Sequence, residues 1–187
     1  VQDTERTNSS EESGGLGQET EETEETPSDK SVEAENENGK AKAEVGSVKA
    51  NQKVEVTVPD EASKDGESEV EKVSFTSSSD SDDVSVEVED IGNDFNMVKD
   101  KVKNKKPKGK VYGYQRIDVN NVEDDEISEA SVGFKVKKSF IENNDATVED
   151  VKLNRFHNDD WESYDAEKTG ETDTHHKFES ETGGFSY

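Results

Sequence analysis

Valine outnumbers leucine 21 to 2 in this chain, and no other feature restricts its fold so sharply. β-branched side chains lose rotamer freedom on helices and pack well on pleated sheets, so a core built from valine is a core built from strands. The valines are also spaced for strands. Val54, Val56 and Val58 alternate with Glu55 and Thr57, Val73 and Phe75 flank Ser74, and Val84, Val86 and Val88 alternate with Ser85 and Glu87. Val132, Phe134 and Val136 alternate with Gly133 and Lys135 in the same way. A period of two places one set on a core face and the other in water, the signature of half-buried antiparallel strands. Turn-like runs separate them at 59–68, 77–83 and 120–128.

The run Val111–Val119 is read as a central strand, because Tyr112 and Tyr114 make its second face bulky as well. Ser139 and Glu142 have the spacing of a capping box, which predicts one short helix ending near Asn143 and Asn144. Further strands are expected at 151–157, 161–165 and 175–181, with the polar turn Asn158-Asp159-Asp160 between the first two. Seven to nine short strands at this spacing predict an all-β, antiparallel β-sandwich with one short helix, rather than a βαβ fold.

Composition sets the boundary of that domain. The formal net charge is −25, from 48 acidic against 23 basic residues, and only 26% of the chain is hydrophobic. Such values suit either disorder or a small core beneath an acidic surface adapted to concentrated salt. Residues 1–40 contain almost no apolar side chain and are read as a disordered acidic linker or stalk, with the folded domain at 41–187. Asn8, in Asn8-Ser9-Ser10, is a candidate glycosylation site on that stalk. There is no cysteine and hence no disulfide framework, and no stretch has the apolar length to span a bilayer. The acidic balance argues against nucleic acid and anionic membranes as partners.

His175 and His176 invite a zinc reading, with His157 as the other histidine, but strand neighbours point to opposite faces and cannot share an ion without a bulge. They are expected to be surface histidines. The acidic turns are candidate calcium sites through Asp80, Asp82 and Asp83, Asp124 and Asp125, and Asp159 and Asp160, although none follows the EF-hand spacing. No cofactor is expected unless calcium binds at these turns. Seven lysines lie within Lys99–Lys110, a loop expected to pair with acidic neighbours in the same domain, an adjacent copy or the acidic tail. No aromatic platform is interleaved with them, which argues against nucleic acid. No nucleophile elbow, phosphate loop or His-Glu-x-x-His motif occurs, so no enzyme is expected.

Residues 111–187 resemble the PGF-pre-PGF domain of archaeal cell-surface proteins. The resemblance rests on an ordered series: Val-Tyr-x-Tyr at 111–114, Phe-Lys-Val and Phe-Ile within 134–141, Val-x-Leu-x-Arg-Phe-His at 151–157, Trp161, and Gly-Phe-Ser at 184–186. Residues 41–110 match more loosely. The chain has Gly184 where the family often has Pro, and Phe140 where it often has Trp. The resemblance implies an exported, surface or S-layer-associated module and carries over no catalytic residue.

The leading expectation is thus a non-enzymatic, extracellular structural or adhesive module of an archaeal cell surface. It would present loops or an edge strand to other surface proteins or to copies of itself, without touching the membrane. A salt-rich habitat fits the charge, but 20 lysines against 3 arginines fit moderate halophily or an ordinary methanogen as well. One alternative is a ligand-binding sandwich that holds surface glycans on Tyr112, Tyr114, Trp161 or Tyr164, which would need those rings exposed in a row. The other is a filament or lattice subunit assembled by strand addition at an open edge.

Overall fold

A computed structural model describes residues 27–62 and 68–186. In chain order the first strands are β1 (Lys30–Glu33), β2 (Glu35–Glu37), β3 (Lys40–Val48), β4 (Lys53–Thr57), β5 (Val70–Ser77) and β6 (Ser81–Gly92). A single-turn helix α1 (Phe95–Val98) precedes β7 (Tyr114–Asn120) and β8 (Ile127–Lys137), which runs directly into helix α2 (Lys138–Asn143). The strands β9 (Lys152–His157), β10 (Asp160–Asp165), β11 (Glu167–Glu171) and β12 (His175–Thr182) follow. The protein is all-β, as the valine pattern predicts.

The strands form two layers. One is a six-stranded sheet in the order β1-β4-β5-β8-β12-β11, antiparallel except for the parallel pair β1 and β4. The other contains the antiparallel sheet β2-β3-β6-β7 and the hairpin β9-β10. Hydrogen bonding through Ser186 joins these two pieces: its carbonyl accepts from the Ile117 amide of β7 at 2.9 Å, and its hydroxyl donates to the Phe156 carbonyl of β9 at 2.6 Å. The C-terminal segment therefore fills the seam between β7 and β9.

The core lies between the layers, where Val54, Val56, Val73 and Phe75 of the six-stranded sheet face Ala41, Ala43, Val84, Val86 and Ile117 of the other. Phe75 is fully buried and meets the Phe185 ring edge-on, with centroids 6.2 Å apart. The alternating positions thus fall on the core side as the period of two requires.

Four expectations need correction. Ordered strands begin at Lys30, not at residue 41: β1 and β2 are one extended segment that crosses between layers at the buried Ala34, whose amide bonds the Thr57 carbonyl at 2.9 Å. Ala34 is small enough to sit between the layers, so a stretch nearly devoid of large apolar groups still contributes to both sheets. Asn8 and most of the expected stalk lie outside the described residues. Second, β7 begins at Tyr114 and is the last strand of its sheet, not a central one, because its outer edge is closed by Ser186 rather than by a strand. Third, α2 begins at Lys138 after Lys137 with no side-chain cap, which leaves Ser139 inside the first turn. The strand enters the helix without a loop, and Ser139 comes two positions too late to cap it. Fourth, α1 is a second helix, capped by Asp94, whose carboxylate accepts from the Asn96 amide at 2.9 Å.

Candidate functional site

The Lys-rich run does not lie slack on the surface. Val98 and Val102 are fully buried and, with Tyr114, form a small core of their own beneath Ile91, Phe95, Val111, Phe156 and Trp161. Trp161, on β10, donates its indole N–H to the Lys105 carbonyl at 3.0 Å. The β9-β10 turn supplies the acids: Lys103 Nζ lies 2.5 Å from Asp159, Lys105 Nζ donates to the Asp159 carbonyl at 2.5 Å, and Asp160 lies 3.7 Å away from it. Asn158 and Asp159 both have positive φ, 47° and 66°, the two-residue turn whose twist matches a hairpin. The expected pairing of the lysines with acidic neighbours in the same domain is therefore present.

The far end of this strap borders a cleft of about 680 Å³ between the β9-β10 hairpin and the β8 and α2 side of the other layer. Tyr112, Tyr114 and Trp161 all line it. They are not an exposed row: Tyr114 is 6% exposed, and Tyr112 packs edge-on against Phe140 with centroids 4.9 Å apart and accepts the Lys137 amide at 3.2 Å. Burial pushes the Tyr114 phenol upward in pKa. Tyr164 stands apart from that wall, with its hydroxyl donating to Glu162 at 2.7 Å.

Basic side chains outnumber acidic ones in the cleft's lining, although three of them are already paired. Lys106, Lys108, Lys110, Lys135, Lys152 and Arg155 line it against Glu69, Asp150 and Asp160. Lys135 is held by Asp60 at 2.5 Å, Lys152 by Asp165, and the buried Arg155 by Asp124 at 2.6 Å. Backbone and hydroxyl donation from Thr147 lowers the Asp150 pKa. Lys106 Nζ sits 4.8 Å over the Phe95 ring, a cation–π contact. Lys108 and Lys110 are exposed and make no ion pair among the described residues.

Arg155 also governs the C-terminal seam. Gly184 passes over its guanidinium with φ of +139°, and a Cβ there would lie 2.7 Å from Asp124 Oδ1 and 2.8 Å from Arg155 Nη2. Proline, locked near −65°, cannot occupy this position.

The acidic turns are dispersed, and most of their carboxylates are engaged. Asp80 accepts from Lys49 at 2.8 Å and from the Ala50 amide at 2.9 Å, and the Lys49 bond is the main cause of its lowered pKa. Asp82 takes the Ser47 hydroxyl at 2.7 Å, and Asp83 occupies a left-handed turn position with φ of 54°. Asp124 serves Arg155, Asp125 is exposed, and Asp159 and Asp160 serve the strap. Among the described residues no group of three or more His, Cys, Asp or Glu converges on a metal position. His175 is 6% exposed, not a surface residue, and its Nδ1 meets the Thr174 hydroxyl at 2.8 Å. His176 lies beside Glu171 at 3.2 Å, and His157 lies 3.6 Å from Asp124.

Sequence reasoning singled out the lysines and three of the cleft aromatics but missed Arg155 and the two valines that anchor the strap. Val98 and Val102 are spaced i and i+4, a one-turn apolar pair that was legible within the basic run. No family model matches the chain, and searches of curated proteins and of solved structures likewise find no match.

Proposed function

We propose that the chain is a non-enzymatic, extracellular module of an archaeal cell surface, of the kind that the PGF-pre-PGF resemblance implies, and that it works by presenting the Lys99–Lys110 strap and adjoining cleft to neighbouring surface molecules. One observation carries this reading: in a chain of net charge −25, the densest basic segment is built onto a private core of Val98, Val102 and Tyr114. A solvated loop needs no such core. Edge-strand presentation has less support, since β11 at one sheet edge is charged and carries a bulge between Lys168 and Gly170, devices that discourage strand addition. The test has two parts. Protease shaving of intact source cells should release this chain, and protection until lysis would refute the location. Purified chain should bind isolated cell envelopes, with binding reduced at least tenfold by Lys106→Glu/Lys108→Glu/Lys110→Glu; unchanged binding would refute the strap's role.

A second reading, a module that holds a surface glycan, draws on the cleft walls Tyr112, Tyr114 and Trp161. Trp161 is the chain's only tryptophan, so its fluorescence reports on the cleft directly. A saturable change on titration with envelope glycans would favour this reading, and a flat response across them would remove it.

A further inference from the structure

We infer that the strap's partner is a second copy of this chain, engaged through that copy's acidic run Glu19–Asp29. This deepens the assembly reading and rests on it. The run carries Glu19, Glu21, Glu22, Glu24, Glu25 and Asp29 with no basic residue, and the strap carries seven lysines with the single acid Asp100. The two segments are similar in length and opposite in sign, and every copy has one of each. Lys101, Lys106, Lys108 and Lys110 are exposed and make no ion pair among the described residues. Met97, at the root of the strap, is 67% exposed and is the exposed large hydrophobic side chain among those residues, an apolar contact beside the charges.

Strand register argues for another copy rather than the chain's own tail. The acidic run ends next to β1, where the Ser28 carbonyl is held by Gln52 Nε2 at 2.7 Å. Three strand spacings separate β1 from β8, which borders the cleft, a distance of about 14 Å. The run also starts displaced along the strands. Lys30 pairs with Val54 and Val54 with Phe75, whereas Phe134 at the cleft pairs with Val70. Ser28 and Asp29 are therefore held beside β1 and away from the cleft, whereas a neighbour's strap is open to the whole run. Repulsion between bodies of charge −25 does not forbid the contact, because at physiological salt charges act over about 8 Å and the local pairing decides. A contact between two different surfaces is heterologous, so each added copy leaves one strap and one acidic run open.

Sedimentation velocity of the full chain across concentration, at about 150 mM and 500 mM sodium chloride, tests this inference. The expected result is a ladder of dimers and larger species at low salt that dissociates to monomer at high salt. Strap reversal (Lys106→Glu/Lys108→Glu/Lys110→Glu) and run neutralisation (Glu19→Gln/Glu21→Gln/Glu22→Gln/Glu24→Gln/Glu25→Gln) should each give monomers with unchanged circular dichroism. An equimolar mixture of the two variants should restore a dimer and nothing larger, since one intact strap then meets one intact run. A monomeric parent chain at every salt and concentration, association that survives strap reversal, or a mixture that stays monomeric would each overturn the inference. Strap-dependent binding to cell envelopes by a monomeric chain would sink this inference alone, whereas loss of both would sink the assembly reading with it.

Discussion

The two-layer valine core and the strap with its β9-β10 hairpin are stabilised in different ways. Between the layers, Val54, Val56, Val73, Phe75, Val84 and Val86 are at most 1% exposed, and their stability comes from apolar area removed from water. In the strap, two buried valines and one tyrosine are supplemented by the Trp161 to Lys105 bond, the Asp159 and Asp160 pairs and the Lys106 contact with Phe95. Exposed ion pairs contribute only about 0–1 kcal/mol each and weaken with salt. The sandwich is thus the stable frame and the strap a lobe tuned by ionic conditions.

The largest blow to the frame should come from Phe75→Ala, which empties a fully buried site against Phe185 and should cost about 3–5 kcal/mol in urea unfolding, with both regions lost together. Retention of the hairpin after the sheets unfold would show instead that the lobe is autonomous. Gly184→Ala forces a side chain into a left-handed position against Asp124 and Arg155, at a cost of about 1–3 kcal/mol. Hydrogen exchange should then quicken first at Ile117, whose amide bonds Ser186; protection equal to wild type would mean that the seam tolerates the strain. Val102→Ala should act on the lobe alone, at about 1.6 kcal/mol, with faster exchange through 99–105 and no change in β4 or β5. Exchange that rises equally in both regions would erase the distinction.

Acid gives the smallest effect. Glu171 is held down from its usual 4.5 to about 2, chiefly by the Lys168 hydrogen bond and then by Lys138. A depressed carboxylate favours the folded state above its unfolded pKa, and that contribution fades as pH falls from about 4.5 toward 2. Glu171→Gln should slightly flatten the loss of thermal stability across this window, and an unaltered pH profile would show the cluster to be inert.

The frame was largely legible because large apolar side chains at a period of two mark β4, β5, β6 and β8 without help from tertiary context. The β2 and β3 hairpin was not, although Asn38-Gly39 is a strong turn signal and both residues have positive φ in the fold. Its core side chains next to the turn are Ala41 and Ala43, which are too small to register as alternation against Lys40, Lys42 and Glu44, and Val45 and Val48 farther along are separated by Gly46 and Ser47. The edge position of β7 was illegible for a different reason: its neighbour is Ser186, a contact that no local pattern encodes. At the site, the charge of the strap could be read directly, whereas the cleft depends on β8, β9 and the Lys106–Tyr114 segment meeting in space.

The seam at Ser186 bears on how the protein is made. β6 and β7 leave the ribosome well before Phe185 and Ser186, so during synthesis the Ile117 amide at the outer edge of β7 waits with no native partner. The second layer closes only when the C-terminal residues arrive to bridge β7 and β9 and to place Phe185 against Phe75. Emergence of residues 183–186 is thus the event that closes the second layer, and a ribosome stalled before Gly183 would hold a nascent protein with an open sheet edge.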